Sequence, residues 1–431
     1  MLLGIVILVV GLVVSIALHE VGHMVPAKRF GVRVSQYMVG FGPTLWSRTR
    51  GETEYGVKAF PLGGYVRLIG MYPPAASLDR PPRPGRFAEA IDDARRASAE
   101  EIRPGEDHRA FYRLSTPKKV VVMLGGPTMN LVIAAVLIAV VYMGIGIPGA
   151  TTTTVAMVAP CVPATASANC TDGQPASPAS EAGLRVGDAV LSYGGIPTST
   201  WPEVQHAIRT VGGEDVPMVV RRDGAEVMLR VDPVTTERLQ WNEDGTPLLG
   251  ADGKQETAPT RYLGFGPSQA IERQSFGAAM SAVGTTVWET GKVLVLLPAK
   301  VVDVGKAVLG LEERDRNSVV GVVGVARLAG EIGEADLGVA QRVASWLGLL
   351  ASLNIALFMF NLIPLVPLDG GHVAGALWEG AKRTWARARG LALPGPADLA
   401  RMVPVAYGVA MVLIALTVVL VVADIAVPVT I

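Results

Sequence analysis

Four stretches of this 431-residue chain are apolar over roughly the length that carries a helix across a bilayer, and no other feature restricts its fold as strongly. They are Met1 to Leu18, the run inside Lys119 to Gly146, Trp346 to Leu368, and Pro404 to Val427. A bilayer core takes about 20 helical residues, and each stretch fits. Half of all residues are hydrophobic and only 18% are charged, less charge than a soluble chain of this length carries. The expectation is a polytopic α-helical membrane protein with about four transmembrane helices in a lipid bilayer. Basic and acidic residues balance at 38 each, which gives no reason to expect nucleic acid as a partner. The first run lacks a basic leader and an Ala-x-Ala cleavage site and continues straight into ionisable residues. It reads as a span rather than as a discarded signal peptide.

Charge orients the spans. Lys28, Arg29, Arg33, Arg48 and Arg50 follow the first run, Arg113, Lys118 and Lys119 introduce the second, and Lys382, Arg383, Arg387 and Arg389 lie between the third and fourth. The positive-inside rule puts both loops in the cytoplasm, and residues from about 150 to 340 outside with both termini. The divisions that follow are a first transmembrane helix at 1–30, a cytoplasmic loop at 31–118 and a second helix at 119–146. An outer domain occupies 150–270 and a membrane-surface segment 271–340, followed by a third helix at 341–372, a cytoplasmic loop at 373–402 and a fourth helix at 403–428.

The outer domain carries a PDZ-like α+β pattern. Glu181 to Asp188 precedes an alternating strand, Ala189 to Tyr193, and a Gly194-Gly195 turn. Thr200 and Glu203 form a capping-box pair opening a short helix. Strands at Pro217 to Arg222 and Glu226 to Val231 flank an Asp223-Gly224 turn. Cys161 and Cys170, nine positions apart on the side expected to be oxidising, are placed to close a loop by a disulfide. Pro81 to Pro104, rich in Pro, Arg, Ala and Glu, reads as a solvated, partly disordered insertion without chemistry. Glu54 to Leu68 alternates and carries Gly63-Gly64, the pattern of a membrane-associated β-hairpin or edge strand.

The chemistry sits at the end of the first span, in His19-Glu20-Val21-Gly22-His23. A helical His-x-x-x-His pair puts two imidazoles on one face, one turn apart, where both can bind zinc, and the Glu beside them can act as general base towards water. Two histidines and a glutamate in an otherwise apolar helix are expensive without a role. Zinc needs a third protein ligand. The metzincin continuation is absent, since Pro26 and Arg29 stand where Gly and His are required. The strongest candidate is Asp369, an intramembrane carboxylate in Asn361-Leu-Ile-Pro-Leu-Val-Pro-Leu-Asp-Gly-Gly-His372, with His372 as the alternative. Pro364 and Pro367 break helical hydrogen bonding there, and Gly370 and Gly371 are expected to let the chain turn.

These two motifs together resemble the site-2 protease family. Gly40-Phe41-Gly42-Pro43, Pro61-Leu-Gly-Gly-Tyr-Val66 and Gly125-Gly-Pro-Thr-Met-Asn130 are similar to its bacterial branch, and a single PDZ-like domain with a long insertion looks like the actinobacterial Rip type. The resemblance implies Zn2+ held by His19, His23 and Asp369, with Glu20 as base. It implies cleavage inside the membrane of single-span proteins such as trimmed anti-sigma factors, or of remnant signal peptides, in a bacterial cell membrane. Asn361 and Asn354, with Gly63 and Gly64 of the edge strand, are the residues expected to hold substrate. A non-proteolytic PDZ scaffold is the competing reading, and a zinc transporter a third. A scaffold needs no base, and a transporter needs more than one ligand cluster along a path.

Overall fold

A computed structural model describes the chain except for residues 79–86, 164–169, 171–172, 240–247, 249–255, 313, 315–317, 336 and 429–431. It divides into two compact units, one made of Met1–Ile145 with Arg273–Ile431, the other of Gly146–Glu272.

The first unit begins with α1 (Leu2–Arg29), whose aliphatic run carries no charge before Glu20 and whose last turn holds Lys28 and Arg29 against the carbonyl end. Two long antiparallel strands follow, β1 (Val34–Arg50) and β2 (Thr53–Leu68). They make more than the simple hairpin expected. Met38 stands opposite both Gly56 and Tyr65, and Val39 opposite both Val57 and Gly64, while residues 44–50 pair with 53–58. Each strand therefore doubles back, giving four segments in the order 44–50, 53–58, 34–39, 64–68. The bends fall at glycines. Gly63 has φ +133°, and a Cβ there would lie 2.4 Å from the Phe41 ring.

The insertion, expected to be solvated and partly disordered, contains a regular helix with buried residues. Residues 88–100 form a helix, α2 (Ala88–Glu100), with Arg95 and Ser98 buried. The residues 81–86 of that expectation lie outside the described ones. Next comes α3 (Thr116–Ala139), which runs on through a π-helical turn at Val140–Ile145.

The second unit is built on β3 (Ile147–Val158), α4 (Pro178–Glu181), β4 (Ala189–Tyr193), β5 (Ile196–Pro197), α5 (Trp201–Thr210), β6 (Val216–Arg222), β7 (Ala225–Val231), β8 (Val234–Leu239), β9 (Thr257–Tyr262) and β10 (Phe265–Glu272). The main sheet has the order β10-β3-β4-β6-β7, with β5 on β4, and β8 pairs with β9. Gly194-Gly195 and Asp223-Gly224 all take positive φ, as tight hairpin turns require. Both halves of the Thr200–Glu203 capping box are formed. Val190, Tyr193, Val204 and Met218 fill the core, and a disulfide joins Cys161 to Cys170.

The first unit resumes with α6 (Phe276–Val308), α7 (Val322–Glu334), α8 (Val339–Asn361), α9 (Asp369–Ala388) and α10 (Val403–Ala426). At 1.5 Å per residue, the 33-residue α6 is about 50 Å long. Its Ala279 and Val283 pack with α3 and α8, and its Val304 with α10. Among the described residues, four helices are long and apolar enough to cross a membrane: Leu2–Arg29, Thr116–Ile145, Val339–Asn361 and Leu399–Ala426. The third stops at Asn361 rather than at 372, because Pro364 and Pro367 interrupt the chain and a new helix starts at Asp369. Gly370 and Gly371 are not turn residues. Both are helical, and a Cβ on them would meet Ile363 O at 2.3 Å and Val366 N at 2.5 Å. Their role is to let α9 begin hard against the broken segment.

Among the described residues of this unit, buried ion pairs tie helices together. Lys119 Nζ lies 2.8 Å from Glu379 Oε2, and Arg314 Nη2 3.0 Å from Asp424 Oδ1. Each carboxylate also accepts backbone amides, from Ala397 in the first case and from Gly321 and Gly324 in the second. Such pairing is what makes buried charge tolerable.

In the second unit Asp188, 1% exposed, receives Arg222 at 2.8 and 2.7 Å and the Arg185 amide at 2.8 Å. The Arg222 guanidinium holds its carboxyl below the usual carboxylate range. The stabilisation it contributes is complete above the unfolded value of about 3.9 and is lost as pH falls through the lower folded value. Asp188→Asn should therefore weaken amide-exchange protection of β4 and β6 at neutral pH and flatten its loss on acidification below about pH 4. Exchange measured between pH 3 and 7 checks this.

Candidate active site

Helical spacing places His19 and His23 on one face of α1 with their Nε2 atoms 3.2 Å apart. His23 Nδ1 is 2.8 Å from the carbonyl oxygen of Val122 on α3. A carbonyl only accepts, so Nδ1 carries the proton and Nε2 presents a lone pair. Asp369, the first residue of α9, brings Oδ2 to 3.4 Å from His19 Nε2 and 3.3 Å from His23 Nε2. That oxygen is buried and has no hydrogen-bond partner among the described residues.

The two Nε2 atoms and the carboxylate oxygen thus face one another at 3.2 to 3.4 Å. Four ligands set tetrahedrally at zinc–ligand distances of about 2.0–2.1 Å stand about 3.3 Å apart, and the three separations here match that edge. The residues fit a zinc ion. Among the described residues, these three form the one group of His, Cys, Asp or Glu side chains that could hold a metal.

Neighbouring backbones leave the room. A Cβ on Gly126 of α3 would lie 2.2 Å from His23 Nε2 and 2.6 Å from His19 Nε2. One turn of α1 crosses α3 backbone to backbone, since a Cβ on Gly22 would meet Gly125 O at 2.3 Å and one on Gly125 would meet Gly22 O at 2.0 Å. Neither Gly126 nor the Val122 carbonyl was singled out from the sequence as part of the site. The Gly125-Gly126-Pro127 run was the available signal, and a backbone carbonyl leaves none.

Glu20 is 9% exposed and projects beside the two imidazoles into a cavity of about 570 Å³. Residues 64–68 of β2 form one side of this cavity. The Val66 amide faces the Glu20 carboxylate, and a Cβ on Gly64 would stand 3.1 Å from Glu20 Cγ. Asn361, at the end of α8, lines the cavity, as does the buried His372, which stays outside the converging trio. Asn354 does not reach it. It is fully buried, and its Nδ2 donates to Ser15 Oγ at 3.0 Å and Leu350 O at 2.8 Å, so it fastens α8 to α1. Gly63 is likewise a bend residue rather than part of the lining.

The description of peptidase family M50 matches residues 7–394. The chain belongs to this family, the site-2 proteases. It is 36% identical to the zinc metalloprotease Rip1 of Mycobacterium tuberculosis over 99% of this chain and 98% of that one. It is 32% identical to zinc metalloprotease Rip1 of Mycolicibacterium smegmatis over 100% and 98%. A putative zinc metalloprotease of Brucella suis is 28% identical over 84% and 82%. Like other M50 peptidases, the chain is a zinc metalloprotease and a multi-pass membrane protein acting on protein substrates, which removes the scaffold and transporter readings.

Gly126→Ala should leave the chain folded but push a methyl group into the space between the imidazoles. Zinc per chain, measured by elemental analysis after purification, is expected to fall well below that of the unsubstituted protein. Undiminished zinc would place the ion elsewhere.

Proposed function

We propose that His19, His23 and Asp369 hold the zinc ion and that Glu20 is the general base for hydrolysis of a peptide bond inside the membrane. The observation that carries this is the convergence of two imidazole nitrogens and one unpartnered carboxylate oxygen beside a buried Glu20, in a cavity flanked by a strand edge. Bound zinc supplies a Lewis acid that polarises the peptide carbonyl and makes water more acidic. The Glu20 carboxylate takes the proton from that water as its oxygen attacks the carbonyl carbon, then returns it to the leaving nitrogen as the C–N bond breaks. The Val66 amide orients the carboxylate. Asn361, which lines the same cavity, is the side chain proposed to donate its amide to the carbonyl oxygen as charge develops.

A helical peptide bond is shielded by its own hydrogen bonds, so a substrate span has to unwind before attack. Residues 64–68 offer an edge against which an unwound segment adds as a strand, with Gly64 leaving space next to Glu20. Basic residues after α1 and on α9 support a cytoplasmic position for that side, with the second unit and both termini outside a bacterial cell membrane. The strand and helix order of the second unit supports reading it as a PDZ-like domain. Its groove between α5 and residues 260–265 is lined by Trp201, Ile208, Arg209 and Phe265, a setting for an extended peptide end. In this reading it limits access to single-span proteins already shortened outside, anti-sigma factors among them.

Glu20→Gln should keep its zinc and lose at least about a hundredfold in cleavage of a single-span substrate, because the amide cannot accept the proton. Removal of residues 155–270 should extend cleavage to untrimmed substrates while a trimmed one is still cut. Near-normal turnover by Glu20→Gln rules out the base. A folded, zinc-loaded deletion variant that cuts neither substrate rules out the gate.

A further inference from the structure

One wall of the cavity comes from α2, in the insertion between β2 and α3. Ala97, Ser98 and Glu101 line it next to Met71 and Tyr72. The helix is fastened on two sides. The Arg95 side chain, 4% exposed, reaches Asp92 at 2.7 Å and Asp398 at 2.6 Å, and Asp398 also holds Arg401 at 2.8 Å. Ser98 Oγ accepts from the Tyr72 amide at 3.0 Å and donates to the Tyr72 carbonyl at 3.1 Å. A solvated insertion has no reason to bury an arginine, which costs several kcal/mol unless it is paired. Here the paired arginine and the paired serine hold one helix still beside the metal-binding residues.

The position of this wall follows from the strand. Residues 64–68 run from Glu20 to Met71, Tyr72 and α2, and four residues of strand span about 13 Å. A peptide laid along that edge brings side chains about four positions from the scissile bond against α2, with every second one facing it. The small Ala97 and Ser98 leave space there, and Leu68, Met71 and Tyr72 give it apolar sides.

We propose that α2 forms a side-chain pocket of the substrate site, receiving a bulky apolar residue about four positions from the scissile bond, with Ala97 setting its size. This rests on the edge-strand reading of substrate binding given above. It makes the insertion a determinant of which sequences are cut.

The test uses the full chain and single-span substrates carrying Ala, Leu or Phe at each position up to six from the cut. Ala97→Trp is expected to lower kcat/KM at least tenfold for Leu or Phe at one register position, with Ala at that position restoring cleavage and zinc content unchanged. An equal loss for every substrate, or no loss, overturns the proposal. A second measurement does not depend on how well the tryptophan is accommodated. In Glu20→Gln protein, Ala97→Cys and, separately, Tyr65→Cys are tested for disulfide formation with substrates bearing one cysteine. Cross-links at both sites, separated along the substrate by about four residues, support the pocket. Cross-links at residue 65 with none at residue 97 overturn the pocket and leave the strand reading standing, whereas none at either overturns both.

Discussion

The proposed metal site depends on two helices meeting without side chains between them. Gly22 on α1 and Gly125 on α3 touch through their backbones, and Gly126 faces the imidazoles directly. That approach brings the Val122 carbonyl within 2.8 Å of His23 Nδ1 and so leaves Nε2 as the nitrogen that faces the other two proposed ligands. Small residues at such a crossing are the usual means of close helix packing in lipid, where apolar side chains gain nothing by leaving their surroundings. The third donor arrives by the same device. Gly370 and Gly371 let α9 start against residues 362–366, which delivers Asp369 to the histidines from a separate helix.

Buried charge secures the ends of this assembly. Glu379 on α9 takes Lys119 of α3, Arg383 and the Ala397 amide, and so couples the helix carrying Asp369 to the helix carrying Gly126. Asp424 does the same for α10, joining it to Arg314 and to the start of α7. Removing one partner of such a pair leaves an uncompensated charge and typically costs about 3–5 kcal/mol. The proposed catalytic geometry and the anchoring therefore share one framework, in which α9 participates in both.

Much of this was legible in the sequence where a local rule acts alone. The four spans follow from hydropathy and length, and the His-Glu-x-x-His pair follows from helical period. The capping box at Thr200 and the hairpin turns follow from residue types that only those conformations favour. What escaped depends on contacts between distant segments. Asn354 was expected to hold substrate only through the family resemblance, yet Ser15, 339 positions away, claims its side chain. The Pro- and Arg-rich insertion has a composition suited to solvent, but Asp398, 303 positions from Arg95, gives α2 a buried partner. The doubled pairing of β1 and β2 is hidden for a related reason, because alternation marks a strand without saying how many neighbours it has.

Zinc K-edge X-ray absorption of the purified, metal-loaded protein tests the central claim most directly. The account predicts a shell of nitrogen and oxygen at about 2.0–2.1 Å, with multiple scattering from two imidazoles and no sulfur. A spectrum with sulfur near about 2.3 Å, or without the imidazole signature, would contradict it.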